Sequence, residues 1–207
     1  MSDGKQKVGG NKKTLALTKE QYTEIIETIR SGFLGSRPNH KIATALVLEA
    51  NLGIRISDIV QTVNKDGTKR EGLKLKDIVK DGNRYRLNIC EKKTGKSRNF
   101  TVPVEIYNYI KQYCVDNEIK SHEPIFPITE RAVQKHLKLV CDYLGYEGIG
   151  THSFRKFFAT NIYLENNYNV ILVQELLQHS DPKITQRYIG ISSRDLEEAL
   201  QKNINLL

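Results

Sequence analysis

The stretch LKLKDIVKDGNRYRLNICEKKTGKSRNFTVP, residues 73–103, decides the fold class because it interrupts a chain that otherwise follows helical periodicity. Turn-forming residues at 81–83 (DGN) and 94–95 (TG) divide it into three parts. Within the parts, apolar and polar residues partly alternate, as at Leu87 and Ile89. Such alternation places every second side chain on one face of a strand. The stretch therefore predicts a small three-stranded antiparallel sheet.

Apolar residues recur at helical spacing on both sides of this stretch. Before it, TKEQ from Thr18 is typical of a capping box and opens a helix that ends at Ser31-Gly32. KIATALVLEANLG predicts a second helix that ends near Gly53, and IRISDIVQ a third. After it, VEIYNYIKQYCVDNE and ERAVQKHLKLVCDYLG predict helices, and others are expected to start near Ser153, Val170, Pro182 and Ser193. We expect an α+β fold, mainly α-helical, with one inserted sheet.

Composition divides the chain into a short leader and one domain. Residues 1–14 are rich in glycine and lysine and lack the apolar core of a signal peptide. They are expected to form a flexible basic leader that either touches DNA phosphate or is simply solvated. No linker follows that is long enough to separate two domains, so residues 15–207 are expected to form one domain, with a C-terminal tail helix at about 192–207.

Charge and cysteine usage narrow the classes of function. The chain has 32 lysines and arginines against 24 acidic residues, a net charge of +8, which favours a polyanionic partner such as nucleic acid. No apolar run approaches membrane-spanning length. Cys90, Cys114 and Cys141 are single and odd in number, so neither a zinc site nor a disulfide framework is indicated, and we interpret them as small core residues. We expect a cytoplasmic, nucleoid-associated protein without metal or cofactor.

Unusual polar residues concentrate at four predicted helix boundaries or turns. They are Arg55 in LGIRISDI, Lys93 in EKKTGKSR, His152 with Arg155 in THSFRKFFAT, and the stretch from His179 to Tyr188 in LLQHSDPKITQRYIG. Each alone has an ordinary explanation: a surface ion pair, a solvated lysine, a helix start capped by Thr151 or Ser153, or a half-buried aromatic ring. In the last stretch, Ser180 or Asp181 can cap a helix that has Pro182 at its first position.

In this order and spacing, the four blocks resemble the catalytic domain of the tyrosine recombinases, the phage integrase family, from about Leu17 to Leu207. The most specific part is H-x-x-R followed by an apolar helix, then L-x-H-S and, one short helix later, R-Y-I. The resemblance implies the tyrosine recombinase catalytic-domain fold. It also implies a bacterial, phage or mobile-element enzyme that cleaves and rejoins DNA, without metal or ATP, through a covalent 3′-phosphotyrosyl intermediate, for integration, excision or inversion.

The same resemblance assigns roles to individual side chains. Tyr188 is the nucleophile, Arg55 and Arg155 clamp the phosphate, His152 is the base and His179 binds the phosphate. Lys93 protonates the 5′-oxygen leaving group, although Lys92 and Lys96 are close enough to compete for that role. The chemistry is consistent, because guanidinium forks fit phosphate oxygens and a phenol with a pKa near 10 needs a base. Asp58 lies three residues after Arg55 in a predicted helix. It either orients Arg55 through an acid–base contact or forms an ordinary surface ion pair with that spacing.

Two departures from the family pattern qualify the resemblance. Gln178 stands where the family most often has a glycine before the second histidine. The chain is also too short for the DNA-clamping domain that family members usually carry, so it is either a fragment of a longer integrase or a small single-domain recombinase. The resemblance implies double-stranded DNA as partner and a homo-tetramer on synapsed DNA, with a monomer free in solution. The tail helix either packs on a neighbouring subunit or folds back on its own domain.

Two other functions are compatible with the same residues. A catalytically silent DNA-binding protein could keep the fold, but such a protein has no reason to keep the complete set of candidate residues. A type IB topoisomerase has similar catalytic residues, and the short chain and its RYIGI pattern argue against it.

Overall fold

The structure, a computed structural model, describes residues 14–63, 67–90, 92, 95, 97–179, 181–189 and 201. The chain first forms three helices, α1 (Lys19–Ser31), α2 (His40–Leu52) and α3 (Ile56–Ile59). Five strands follow, β1 (Thr62–Val63), β2 (Lys69–Arg70), β3 (Ile78–Asp81), β4 (Arg84–Cys90) and β5 (Ser97–Val102). The rest is helical, with α4 (Val104–Asp116), α5 (Glu130–Leu144), α6 (Thr151–Glu165), α7 (Val170–Leu177) and α8 (Pro182–Ile189).

Local signals set most helix starts. Thr18 caps α1, because its Oγ1 accepts from the Gln21 N–H (3.2 Å) and Gln21 Oε1 accepts from the Thr18 N–H (3.0 Å). The predicted capping box is therefore confirmed. Pro182 is the first residue of α8, and Asp181 Oδ1 accepts from the Lys183 N–H (2.8 Å). Ser180, the other candidate cap, lies outside the described residues. Gly150 rather than Thr151 or Ser153 caps α6.

The predicted three-stranded sheet is present, with the order β3-β4-β5 and both pairs antiparallel. Leu87 in the central strand pairs with Ile78 and Phe100 and is fully buried. Cys114 and Cys141 are buried as predicted, but the prediction is wrong for Cys90, which is exposed at the end of β4. Alternation explains this, because Cys90 lies on the opposite face of the strand from Leu87.

The third predicted helix is much shorter than the sequence indicates. IRISDIVQ predicts helix to Gln61, but α3 contains four residues and ends at Ile59. The Ile59 carbonyl accepts from the Leu73 N–H (2.9 Å), and β1 and β2 then form a small antiparallel pair that the sequence did not predict. A hydrogen bond from Leu73, fourteen residues later, therefore occupies the carbonyl at which the helix would otherwise continue.

The core is built around α2, which is buried on most of its surface. Its buried residues are Ile42, Ala43, Thr44, Ala45, Leu46, Leu48, Glu49, Ala50 and Leu52. The helix packs against α6 and ends at Gly53, which is left-handed at φ 58°. A side chain at Gly53 would place its Cβ 2.4 Å from the Phe158 ring, so this turn requires glycine for both its conformation and its space.

Glu49 is the fully buried charged residue of this helix. It is fully buried, and its Oε1 accepts from the Ile56 N–H (3.1 Å) at the start of α3. Burial raises the pKa of this carboxyl well above its usual value, while the Ile56 N–H and the nearby Arg155 act in the opposite direction. The acidic neighbours Glu130 and Asp58 add to the increase.

A second, smaller core joins the last helices. Phe158, Ala159, Val173 and Leu177 are buried there, with Tyr188 and Ile189 packed partly against them. Of the predicted leader at residues 1–14, only Thr14 is described, and its carbonyl accepts from Lys156 Nζ. Of the predicted tail helix at about 192–207, only Gln201 is described, and it is helical. None of the helices in the described part of the chain has the length and apolar composition that a membrane span requires.

The Gly53 turn generates a stability prediction. Gly53→Ala should lower the free energy of unfolding by about 2–5 kcal/mol, the sum of left-handed strain and overpacking against Phe158. Gly145→Ala is the matched control, because Gly145 also ends a helix at φ 75° but has open space around it. That control should lose only about 1–2 kcal/mol. Urea denaturation measures both, and equal losses would contradict the packing argument.

The buried carboxyl generates a pH prediction. The folded-state pKa of Glu49 lies above its ordinary value of 4.5, so the unfolded chain loses this proton first as the pH rises. The contribution of Glu49 to stability therefore falls with rising pH above the unfolded pKa, until the folded pKa is reached. The Glu49→Gln variant keeps the acceptor for the Ile56 N–H and cannot ionise. The stability of this variant relative to the wild-type protein should increase as the pH rises above about 4.5, as urea denaturation at a series of pH values would measure. A relative stability that decreases over this range would contradict the raised pKa.

Candidate active site

The α2–α3 turn places Arg55, the first candidate residue of the phosphate clamp. Arg55 is half-buried and is the residue before α3, with an extended backbone at φ −74° and ψ 146°. The turn is held by Gly53 and by the bond from Ile56 to Glu49 on the two sides of Arg55. The position of the Arg55 backbone therefore depends on buried groups and not on the surface.

Arg155, the second candidate clamp residue, is fully buried at 0% exposure. Its Nη1 donates to the Gly53 carbonyl and its Nη2 to the Leu177 carbonyl (3.0 Å). Gly53 lies two residues before Arg55, and Leu177 two residues before His179. The guanidinium fork thus connects the segments that carry two other candidate residues. A phosphate can reach this side chain only after the packing around it opens.

His179 and Tyr188 lie against each other at the ends of α7 and α8. Their rings meet edge to face, with centroids 4.9 Å apart. Nδ1 of His179 and Oγ1 of Thr185 are 3.0 Å apart, and the tautomer of the histidine decides which one donates. Nζ of Lys156 lies 5.9 Å from the centre of the half-buried Tyr188 ring. This arrangement places a cation over the face of the Tyr188 ring.

Gln178, at the family's usual glycine position, ends α7 in a left-handed conformation at φ 52° and ψ 41°. A glycine adopts this conformation without strain, whereas a residue with a side chain loses about 1–2 kcal/mol. The turn is supported by two bonds of 3.1 Å, from the His179 N–H to the Gln174 carbonyl and from Gln174 Nε2 to the His179 carbonyl. The substitution therefore keeps the turn that presents His179.

His152 lies on the first turn of α6, three residues before Arg155, and it is exposed. Residues three apart share a helix face, so His152 is on the side of α6 that carries Arg155. Its exposure allows contact with a ligand in solution. The two residues of the H-x-x-R motif therefore differ in exposure: His152 is exposed and Arg155 is buried.

Asp58 does not form the surface pair that one interpretation of its spacing indicates, because it is only 4% exposed. Its Oδ1 accepts from the Lys92 N–H (2.8 Å) and from Arg70 Nη1 (3.4 Å). These partners are 34 and 12 residues away. Asp58 therefore connects α3, next to Arg55, with the turn between β4 and β5.

Lys93 and its competitor Lys96 lie outside the described residues, and Lys92 is described with an exposed position in the β4–β5 turn.

Three residues near the candidate site were not predicted from the sequence: Thr185, Lys156 and Arg70. Thr185 lies three residues before Tyr188, so its helical spacing gave a signal. No spacing in the sequence indicated Arg70.

Among the described residues, no group of three or more His, Cys, Asp or Glu side chains is arranged to hold a metal ion.

Solved structures share this fold. The XerH site-specific recombinase, in a post-cleavage complex with palindromic difH substrate, matches with a TM-score of 0.66 at 22% identity, over 95% of this chain and 55% of the other. The catalytic domain of bacteriophage HP1 integrase matches with a TM-score of 0.60 at 17% identity, over 92% of this chain and 96% of the other. The fold is that of a tyrosine recombinase catalytic domain.

Proteins of similar sequence are also named as integrases or tyrosine recombinases. The probable integrase/recombinase YoeC of Bacillus subtilis is 33% identical over 150 residues, which cover 68% of this chain and 72% of the relative. Tyrosine recombinase XerA of Pyrococcus furiosus is 29% identical over 207 residues, covering 93% of this chain and 62% of the relative. The chain thus spans under two thirds of XerA. Since the model of the phage integrase family matches residues 16–194, the chain belongs to that family, the tyrosine recombinases.

Proposed function

We propose that the chain carries the strand-cleaving and rejoining chemistry of a site-specific DNA recombinase, with residues 15–207 as its catalytic domain. The observation that carries the proposal is the Arg155 bridge, which joins the segments of Arg55 and His179 while His179 contacts Tyr188. Family membership supports DNA as the substrate, as does the net charge of +8.

The cleavage step uses the phenol of Tyr188 as nucleophile. As its oxygen bonds to phosphorus, the proton passes to His152, and the P–O bond to the 5′ oxygen breaks. Arg55 and Arg155 stabilise the charge on the non-bridging oxygens, together with His179. Arginine side chains can thereby supply the electrostatic stabilisation that metal ions supply in other phosphoryl-transfer enzymes. The full burial of Arg155 means that the packing around it opens when DNA binds.

The leaving oxygen takes a proton from Lys93, and the 3′ phosphate stays attached to Tyr188. The covalent bond preserves the energy of the broken phosphodiester, so a 5′-hydroxyl from another strand can attack it and rejoin the DNA without ATP. Exchange between two duplexes brings together two pairs of active sites, which accounts for the proposed homo-tetramer on synapsed DNA. Integration, excision and inversion all use this same chemistry.

A catalytically silent DNA-binding protein remains the second candidate. The burial of Arg155 favours this second candidate, because a side chain inside the core can have a purely structural role. The test must therefore separate covalent chemistry from DNA affinity.

Covalent trapping makes that separation. The chain is incubated without metal or ATP with nicked duplexes taken from its own genetic neighbourhood, and a denaturing gel detects a protein–DNA adduct. We expect an adduct with the wild-type chain. Tyr188→Phe should abolish it and leave DNA affinity within about threefold, because the ring and its contact with His179 remain. Binding without an adduct in the wild type would favour the silent protein, and equal loss of adduct and affinity would contradict the role of Tyr188.

The two arginines should respond differently to removal. Arg55→Ala should lower the single-turnover rate of adduct formation by about 10²–10³-fold. Arg155→Ala should also reduce the free energy of unfolding by about 2–5 kcal/mol, because it leaves the Gly53 and Leu177 carbonyls without their donor.

Arg84→Ala is the control for removal of an arginine, since Arg84 is exposed at the turn between β3 and β4. It should keep both the rate at saturating DNA and the stability. An Arg155→Ala chain as stable as the wild type would contradict the bridging role.

A further inference from the structure

The end of β4 is held by a small polar network that reaches the β4–β5 turn. The side chain of Asp58 has 0% exposure, and one of its oxygens, Oδ1, accepts from both the Lys92 N–H (2.8 Å) and Arg70 Nη1 (3.4 Å). Its other oxygen, Oδ2, is buried and has no hydrogen-bond partner among the described residues. A buried carboxylate is stabilised by such donors, and the contact with Lys92 fixes the backbone at that residue.

Arg70 makes a second contact on the other side of the turn. Its Nη2 donates to the carbonyl of Cys90, the last residue of β4. The guanidinium therefore binds the residue where the strand ends and also the carboxylate that holds Lys92, two residues later. The guanidinium presents donors in a fixed planar fork that meets both acceptors, whereas a lysine ammonium is a point charge on a flexible stem.

The segment that presents Arg70 is itself fixed to α3. Arg70 pairs with Thr62 in the β1–β2 pair, and the following Gly72 lies against Ile59 so closely that a Cβ would be 2.2 Å from its carbonyl oxygen. The Leu73 N–H donates to that same carbonyl (2.9 Å). Arg70 thus acts from a short, tightly packed support, and its side chain is only 30% exposed.

We propose that Arg70 is a positioning residue for proton delivery to the leaving group: with Asp58 it holds the β4–β5 turn, whose lysine protonates the 5′ oxygen. The inference rests on the proposed function and deepens it. Arg70 does not touch the reacting atoms. It acts through the backbone of Cys90 and Lys92, on the two sides of the turn's first residue. A displacement of about 1 Å in such a group can reduce a rate by about 10²-fold.

The chemistry of the leaving group offers a selective test. An alkoxide is a poor leaving group and needs a proton as the P–O bond breaks. A thiolate, whose conjugate acid has a pKa near 8.5 in cysteine, leaves without one. In a duplex with sulfur at the 5′ bridging position, the bond from Tyr188 oxygen to phosphorus forms, the P–S bond breaks, and the electron pair departs with sulfur. Cleavage of this substrate needs the clamp and the nucleophile but not the acid.

The experiment measures single-turnover cleavage by the full chain of two matched nicked duplexes, one with oxygen and one with sulfur at the scissile position. The sequence is one that gives an adduct with the wild-type chain. Arg70→Ala should slow cleavage of the oxygen duplex by about 10- to 100-fold and leave cleavage of the sulfur duplex within about threefold. Arg70→Lys should show nearly the same loss on oxygen, because a lysine ammonium does not reproduce the fixed geometry of the guanidinium fork.

Lys69→Ala is the matched control, because Lys69 is the exposed neighbour of Arg70 in β2 and its substitution removes the same charge. It should cleave both duplexes at the wild-type rate. An equal loss on oxygen and sulfur with Arg70→Ala would overturn the proposal, because Arg70 would then support the clamp or the fold in general. An undiminished rate on oxygen would also overturn it. Failure of the proposed function is distinguishable, because no tested duplex sequence would then give an adduct with the wild-type chain.

Discussion

A guanidinium group without solvent exposure connects the segments on which the proposed chemistry depends. Arg155 donates to the carbonyls at the end of α2 and at the end of α7. A surface ion pair would contribute little to stability, but these hydrogen bonds are made to backbone groups of buried residues. Because Arg55 and His179 each follow one of those carbonyls by two residues, one side chain fixes the spacing between their segments. The contact of His179 with Tyr188 is built on the same support.

Buried polar groups cluster around the turn between α2 and α3. Glu49 accepts from the first amide of α3, Asp58 from the turn after β4, and Arg155 donates to the turn itself. Burial of each group is unfavourable alone, and hydrogen bonds to backbone groups offset that cost. The raised pKa of Glu49 shows that the offset is incomplete for this carboxyl. The α2–α3 turn, which carries Arg55, is thus surrounded by ionisable groups inside an apolar core.

The sequence predicted the elements whose signals are local. The capping box at Thr18, Pro182 at the start of α8 and the strands divided by turn residues were all visible in short windows, and the structure contains them. The length of α3 was not predictable, because a bond from Leu73 to Ile59 ends that helix. The partners of Asp58 were also missed. Its contacts with Arg70 and with the Lys92 backbone join residues far apart in the sequence, so helical spacing gave no signal for them.

Sequence alone was enough to place the chain in its family and to select the residues of the candidate site. The order and spacing of the four polar blocks can be recognised without knowledge of the fold. The tertiary structure decided how exposed these residues are and what holds them. Arg155 is inside the core and His152, three residues earlier, is exposed. Helical periodicity places both on one side of α6, but only the packing of α2 and α7 against that helix determines which of them is covered.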